Sequence, residues 1–111
     1  MANGTTKNKL EGLLITPTIA SSKVILDSAN SIVQSGKTVC CNLAFKLNGT
    51  FSYIESILTG LPKPKYPIYA TAQYQNISEN FRINSSGSFV ISSGTTYSNQ
   101  FFTVSFSYVA D

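Results

Sequence analysis

Phe101-Phe102-Thr103-Val104-Ser105-Phe106-Ser107-Tyr108-Val109-Ala110-Asp111 decides the fold class of this 111-residue chain. Phe102, Val104, Phe106 and Tyr108 fall on one face of an extended segment, and Thr103, Ser105 and Ser107 fall on the other. Side chains of a strand alternate between faces, so this period of two predicts a half-buried β-strand. Upstream lies the polar turn Ser92-Ser93-Gly94-Thr95-Thr96. Before it, Phe81-Arg82-Ile83 and Ser88-Phe89-Val90-Ile91 flank Asn84-Ser85-Ser86-Gly87, the pattern of a short hairpin.

The same alternation recurs further back. Val39, Cys41, Leu43, Phe45 and Leu47 share one face of a strand over 38–47, with Thr38, Cys40, Asn42, Ala44 and Lys46 on the other. Asn48-Gly49 follows and is expected to turn the chain. Residues 13–19 are apolar but broken by Pro17, which suits an edge strand or bend. Residues 23–26 and 31–34 are short strands separated by the turn-type sequence Asp27-Ser28-Ala29-Asn30. Residues 51–58 fit either a short strand or a single helical turn. Gly60-Leu61-Pro62-Lys63-Pro64-Lys65-Tyr66-Pro67 reads as a rigid crossover loop, because each proline removes a ladder donor and blocks helix. Residues 68–74 resume as a strand and 75–80 as a turn. Short strands at regular spacing, without a long helix, predict an all-β antiparallel sandwich of jelly-roll or Greek-key type. Residues 1–10 read as a polar flexible lead and 11–111 as a single domain.

Composition narrows the function. Charged residues are 12% and hydrophobic residues 42%, so solubility rests on Ser, Thr and Asn. Net charge is +3 with no basic run, Lys63 and Lys65 being the closest pair, so no nucleic-acid partner is expected. No segment has the length and apolarity of a membrane span, and residues 1–9 lack the apolar core of a signal peptide. The adjacent Cys40 and Cys41 would point to opposite faces of a strand, so they are expected to be reduced structural thiols, small and buried or half-buried. The Asn-Xaa-Ser/Thr triplets at Asn3, Asn48, Asn76 and Asn84 match chance in so Asn-rich a chain.

The chain has no histidine, which removes the commonest general base and zinc ligand. The acids Glu11, Asp27, Glu55, Glu79 and Asp111 are not spaced as a carboxylate pair and read as solvated surface groups. No enzyme, metal or cofactor is expected. Binding is better served. Six tyrosines offer flat faces with polar tips, and Tyr66, Tyr69, Tyr74 and Tyr97 lie in or near loops and strand ends. Most such aromatics in any fold are core or interface residues. Tyr97, within a Ser/Thr/Gly loop, is the least core-like. Tyr66, Tyr69, Tyr97 and Asn99 are the candidate ligand-binding residues, in a shallow saccharide site around 66–69 and 93–99.

Three stretches carry a resemblance: Asn30-Ser31-Ile32-Val33-Gln34-Ser35-Gly36-Lys37-Thr38-Val39, Leu58-Thr59-Gly60-Leu61-Pro62-Lys63-Pro64, and Arg82-Ile83-Asn84-Ser85-Ser86-Gly87-Ser88-Phe89-Val90-Ile91 leading to Phe106-Ser107-Tyr108. In this order they resemble the small C-terminal head domains of tail-fibre and baseplate receptor-binding proteins from phages and prophages of Gram-positive bacteria. The resemblance spans roughly residues 30–109 and rests on turns and strand patterns. It implies a homotrimeric β-sandwich at the tip of a virion tail, binding a host cell-wall saccharide or surface receptor and attached to other tail proteins. Similar trimeric jelly rolls occur in tumour-necrosis-factor-like and complement-type heads. A structural virion domain without a ligand of its own is the alternative.

Overall fold

The computed structural model describes residues 12–111, which form ten strands and no helix. They are β1 (Leu13–Leu14), β2 (Thr18–Ile19), β3 (Val24–Leu26), β4 (Ser31–Ser35), β5 (Thr38–Phe51), β6 (Ser56–Thr59), β7 (Ile68–Tyr74), β8 (Ile77–Ile83), β9 (Phe89–Ile91) and β10 (Thr95–Val109). The expected lead over 1–10 lies outside the described residues, as does Glu11.

All pairings are antiparallel, in the order β1-β4-β5-β10-β7-β8-β9-β6-β2, with β3 also on β5. The order β10-β7-β8-β9 is a Greek key: three consecutive strands pair in turn, and the fourth returns beside the first. The all-β, sandwich-like architecture expected from the alternation is therefore present. The sheet curls so that its two halves face each other across one core. Phe45 of β5 meets Phe81 of β8 edge-on at 5.5 Å and Phe89 of β9 at 5.9 Å, while Phe81 and Phe89 stack at 4.8 Å. Edge-to-face and offset rings are the favoured aromatic geometries and add about 0.5–1.5 kcal/mol per pair beyond area burial. Val39, Cys41, Leu43 and Leu47 line the same interior, as the alternation requires.

The spine is the β5–β10 pair, registered from Thr38 against Val109 to Phe51 against Thr95. Both strands outrun their expected bounds. Asn48-Gly49 does not turn the chain, because β5 continues through it to Phe51. The partner strand absorbs the irregularity instead: Tyr97 faces Gly49 and Gln100 faces Leu47, so Ser98 and Asn99 bulge out opposite Asn48. Asn99 takes φ 54°, a left-handed conformation that asparagine tolerates better than most residues. Gly49 is needed because a Cβ there would sit 2.7 Å from the Lys23 side chain, which lies across it. The Lys23 ammonium then reaches Thr50 O at 2.6 Å, the Phe51 ring at 4.6 Å and Glu55 Oε2 at 2.5 Å.

That ion pair clasps a tight turn, so residues 51–58 are neither one strand nor a helical turn. β5 ends at Phe51 and β6 begins at Ser56. Between them Ile54 is held at φ 56°, which is costly for a β-branched side chain. Ser52 N donates to Glu55 Oε1 at 2.9 Å, Glu55 N to Ser52 O at 3.1 Å, and Ile54 N to Ile91 O at 2.9 Å. Lys23, with the Ser52 amide, holds the Glu55 carboxyl below its usual range. The expected turn over 75–80 is also shorter. Gln75, at φ 52°, and Asn76 alone connect Tyr74 to Ile77, and Ile77–Ile83 is strand.

β3 and β4 lie end to end along one edge of β5, separated by the predicted 27–30 turn. The Asn30 side chain fills the gap. Its carbonyl accepts from Ala44 N at 3.2 Å, standing in for a missing backbone acceptor, and its amide donates at 2.6 Å to Ala44 O, which also accepts from Asp27 N at 2.9 Å. Two of the motif stretches lock together. Asn84 Oδ1 accepts from Ser86 N and Ser88 N, each at 3.1 Å, shaping the 84–88 hairpin. Gly87, at φ 83°, packs so closely on Leu61 that a Cβ would fall 2.2 Å from its carbonyl oxygen, and Leu61 N donates to Gly87 O at 3.0 Å. The proline loop then runs beside the end of β10: Pro64 bridges Ala110, Lys65 N donates to Val109 O at 2.9 Å, and Tyr108 Oη to Pro62 O at 2.8 Å.

Candidate functional site

The outward face of the sheet is built by the same alternation that fills the core. On β5, Asn42 points outward; its partner on β10 is Ser105, whose hydroxyl donates to Asn42 Oδ1 at 2.7 Å. On the other side of β10, Thr103 pairs with Gln73 of β7. Across β7 and β8, Thr71 pairs with Asn80 and its hydroxyl donates to Asn80 Oδ1 at 3.1 Å. Asn42, Ser105, Thr71, Asn80, Gln73 and Thr103 are all exposed. Amide and hydroxyl groups therefore occupy the middle of one face of four adjacent strands, between the exposed Phe101 and Val109 of β10, held in register by the ladders beneath.

Tyr69 and Arg82 interrupt this polar face. They are directly opposite each other on β7 and β8. Tyr69 is 66% exposed although it sits inside a paired strand, where a tyrosine usually finds a packing partner. Arg82 is half-buried, and its Nε is closed off from solvent without a hydrogen-bond partner. It is the only arginine of the chain. Among the described residues the one ion pair is Lys23 with Glu55, so no carboxylate neutralises Arg82. The local sequence explains the placement. Phe81 and Ile83 point inward and are fully buried, which forces Arg82 outward.

The candidate tyrosines fall into two groups. Tyr66 and Tyr69 are exposed near the end of β10 that carries Val109, with the Lys65 ammonium 5.7 Å from the Tyr66 ring. Tyr97 and Asn99 lie toward the opposite end of β10, beside the bulge. A strand rises about 3.4 Å per residue, so the two ends of β10 that these groups flank are roughly 40 Å apart. One chain does not bring the two loops together. Tyr74 is half-buried and packs on the Phe102 ring at 6.0 Å.

Tyr97 corrects an expectation. It is 8% exposed and belongs to the core, its ring edge-on to Phe102 at 4.9 Å. Its hydroxyl donates to Glu79 Oε1. Glu79 corrects another: it is a buried carboxylate, 7% exposed, rather than a solvated one. Ser93 Oγ and Asn80 N donate to its other oxygen at 2.9 and 3.0 Å. Three donors satisfy the buried charge. Burial first, and the Glu79 bond second, keep the Tyr97 phenol protonated well beyond its usual range. This network fixes the turn between β9 and β10 and is occupied with itself, whereas Asn99 stays exposed beside it.

Cys40 and Cys41 are free thiols on opposite faces. Cys41 is buried, and burial pushes its pKa to about 12. Cys40 is exposed, contrary to the expectation of a buried or half-buried group. Two clefts, of about 250 and 170 Å³, open around Ile15, Pro17, Leu26 and Asn30 and around Ile25, Lys46 and Phe101. Neither borders Tyr66 or Tyr69. Among the described residues no three metal-ligating side chains cluster, and no helix is long and apolar enough to cross a membrane.

Arg82 escaped the sequence reading, although a lone arginine at an outward position between two buried neighbours was a usable signal. No protein-family model matches the chain, and no curated protein matches it.

Proposed function

We propose that this domain is an adhesion module that binds saccharide on the outward β7–β8 face, as the receptor-binding head of a phage tail protein directed at a Gram-positive cell wall. The observation that carries the reading is the exposure of Tyr69 within a paired strand, surrounded by registered amides and hydroxyls. An aromatic face stacks on the apolar side of a sugar ring while Asn, Gln, Ser and Thr meet its hydroxyls. A site this shallow supports weak individual binding, and presentation of several copies raises the effective affinity by avidity. Exposed Leu13, Leu14, Ile19 and Ile25 leave apolar surface suited to contacts between copies, consistent with a homotrimer. The resemblance in the 30–39, 58–64 and 82–91 stretches supplies the viral context.

The test is binding of the labelled domain to cell walls from a panel of Gram-positive bacteria, with light scattering to report assembly. Tyr69→Ala is expected to lower wall binding at least fivefold while leaving the melting temperature within about 2 °C, because an exposed side chain contributes little to folding. Absence of binding to every wall, or unchanged binding by Tyr69→Ala, would count against this reading.

A further inference from the structure

We propose that Arg82 is an anion subsite, taking the negatively charged group of an acidic saccharide whose ring lies on Tyr69. The inference rests on the saccharide reading above and adds the class of sugar.

Four observations converge. Arg82 lies next to the C-terminal end of β8, in the stretch paired on both sides, with Tyr69 across one ladder and Val90 across the other, so its backbone is fixed. Its Nε is enclosed, so the two Nη groups, which are not closed off and make no hydrogen bond among the described residues, are the donors left to meet a ligand. No carboxylate of the described residues answers its charge: Glu55 is held by Lys23, and Glu79 faces inward to Tyr97 and Ser93. Finally, it is the single guanidinium in a chain whose other seven cations are lysines.

Chemistry makes the choice of arginine informative. A guanidinium is planar and presents donors in a fork that matches two oxygens of a carboxylate or phosphate, whereas lysine offers a point charge. Directly across the ladder is Tyr69, its Cβ about 5 Å from that of Arg82; two residues along the strand, about 7 Å away, is Asn80. One sugar ring can therefore lie on Tyr69, place a charged substituent on Arg82 and meet the Thr71–Asn80 pair with a hydroxyl. Carboxylate and phosphate share this chemistry, and the experiment separates them.

Wild-type domain, Arg82→Gln and Arg82→Lys are compared on walls that the wild type binds. One portion of wall is amidated with carbodiimide and an amine to neutralise carboxylates. A second is treated with hydrofluoric acid to remove phosphodiesters. One treatment is expected to lower wild-type binding at least tenfold, and that treatment identifies the anion. On untreated wall Arg82→Gln should show a comparable loss, and Arg82→Lys an intermediate one, since charge survives and the fork does not. Circular dichroism melts confirm that both variants are folded; should Arg82→Gln unfold, Arg82→Lys alone carries the comparison. Undiminished binding by the folded variants, or by wild type on both treated walls, overturns the anion subsite while saccharide binding stands. Failure of wild type to bind any wall overturns both.

Discussion

Replacing Tyr97 with phenylalanine isolates one bond in the Glu79 network. The ring keeps its edge-on contact with Phe102, and only the hydroxyl that donates to Glu79 is lost. Glu79 then keeps two donors, Ser93 Oγ and Asn80 N, for a carboxylate that remains buried. A hydrogen bond to a charged group contributes about 1.5–3 kcal/mol, so Tyr97→Phe should cost about 2 kcal/mol. For a domain of this size that lowers the melting temperature by about 8 °C. In urea it moves the midpoint down by about 1–2 M at unchanged slope. Glu79→Met, of similar length but with no oxygen to accept the phenol, is the second arm, and the double variant closes the cycle. The two losses should fall short of additive by about 1 kcal/mol or more, since either change removes the same bond. A Tyr97→Phe midpoint shift worth less than about 0.5 kcal/mol, or strict additivity, would refute the buried network. Tyr97→Ala goes further and removes the ring as well, at about 3–5 kcal/mol, so any loss of binding it shows reports unfolding.

Ile54→Gly should stabilise the domain by up to about 1 kcal/mol, because glycine adopts φ 56° without the penalty isoleucine bears there; a lowered melting temperature would contradict this. Asn30→Ala should cost about 2 kcal/mol by stripping Ala44 of its side-chain partners, checked by urea unfolding, with less than 0.5 kcal/mol as the contrary result. Alkali should weaken the fold. Cys41 ionises near 9 when unfolded and near 12 when folded, and burial raises Tyr97 and Tyr108 above their unfolded value near 10. The unfolded chain therefore releases these protons first, and stability should fall progressively above about pH 9. A melting temperature flat from pH 8 to 11 would oppose that assignment, and Cys41→Ala should shift the onset toward pH 10.

What was legible in the sequence was whatever a single strand declares about itself. Alternation over 38–47 and 101–108 identified the two central strands and the residues they bury. Their full lengths were hidden because Asn48-Gly49 carries the strongest local turn signal, yet the opposing bulge at Ser98 and Asn99 and the stem of Lys23 let β5 run straight through it. Tyr97 shows the same limit. Its neighbours are polar and suggest a loop, but its hydroxyl is claimed by Glu79, eighteen positions away, and only the returning strand brings them together. The exposure of Tyr66 and Tyr69 was legible because it follows from local composition near prolines. Arg82 stood out only in the fold, because what sets it apart is the lack of a partner among the described residues, and that depends on where the acids elsewhere are placed.

The β5–β10 spine also sets the order in which the domain can be made. Its registered residues are roughly 40 to 70 positions apart in the chain, so closing that pair incurs a large loop-entropy cost before any ladder bond compensates. During synthesis β5 emerges long before β10, with an apolar face and an open hydrogen-bonding edge, and only the short β3 and β4 are available to flank it. Chains dominated by such distant pairings fold slowly, on the millisecond-to-second scale, and expose unpaired edges meanwhile. The nascent chain is thus most prone to aggregate between the translation of Phe51 and that of Thr95. Slower synthesis at low temperature lengthens that interval as it weakens hydrophobic association, so soluble yield becomes a readout of which effect dominates.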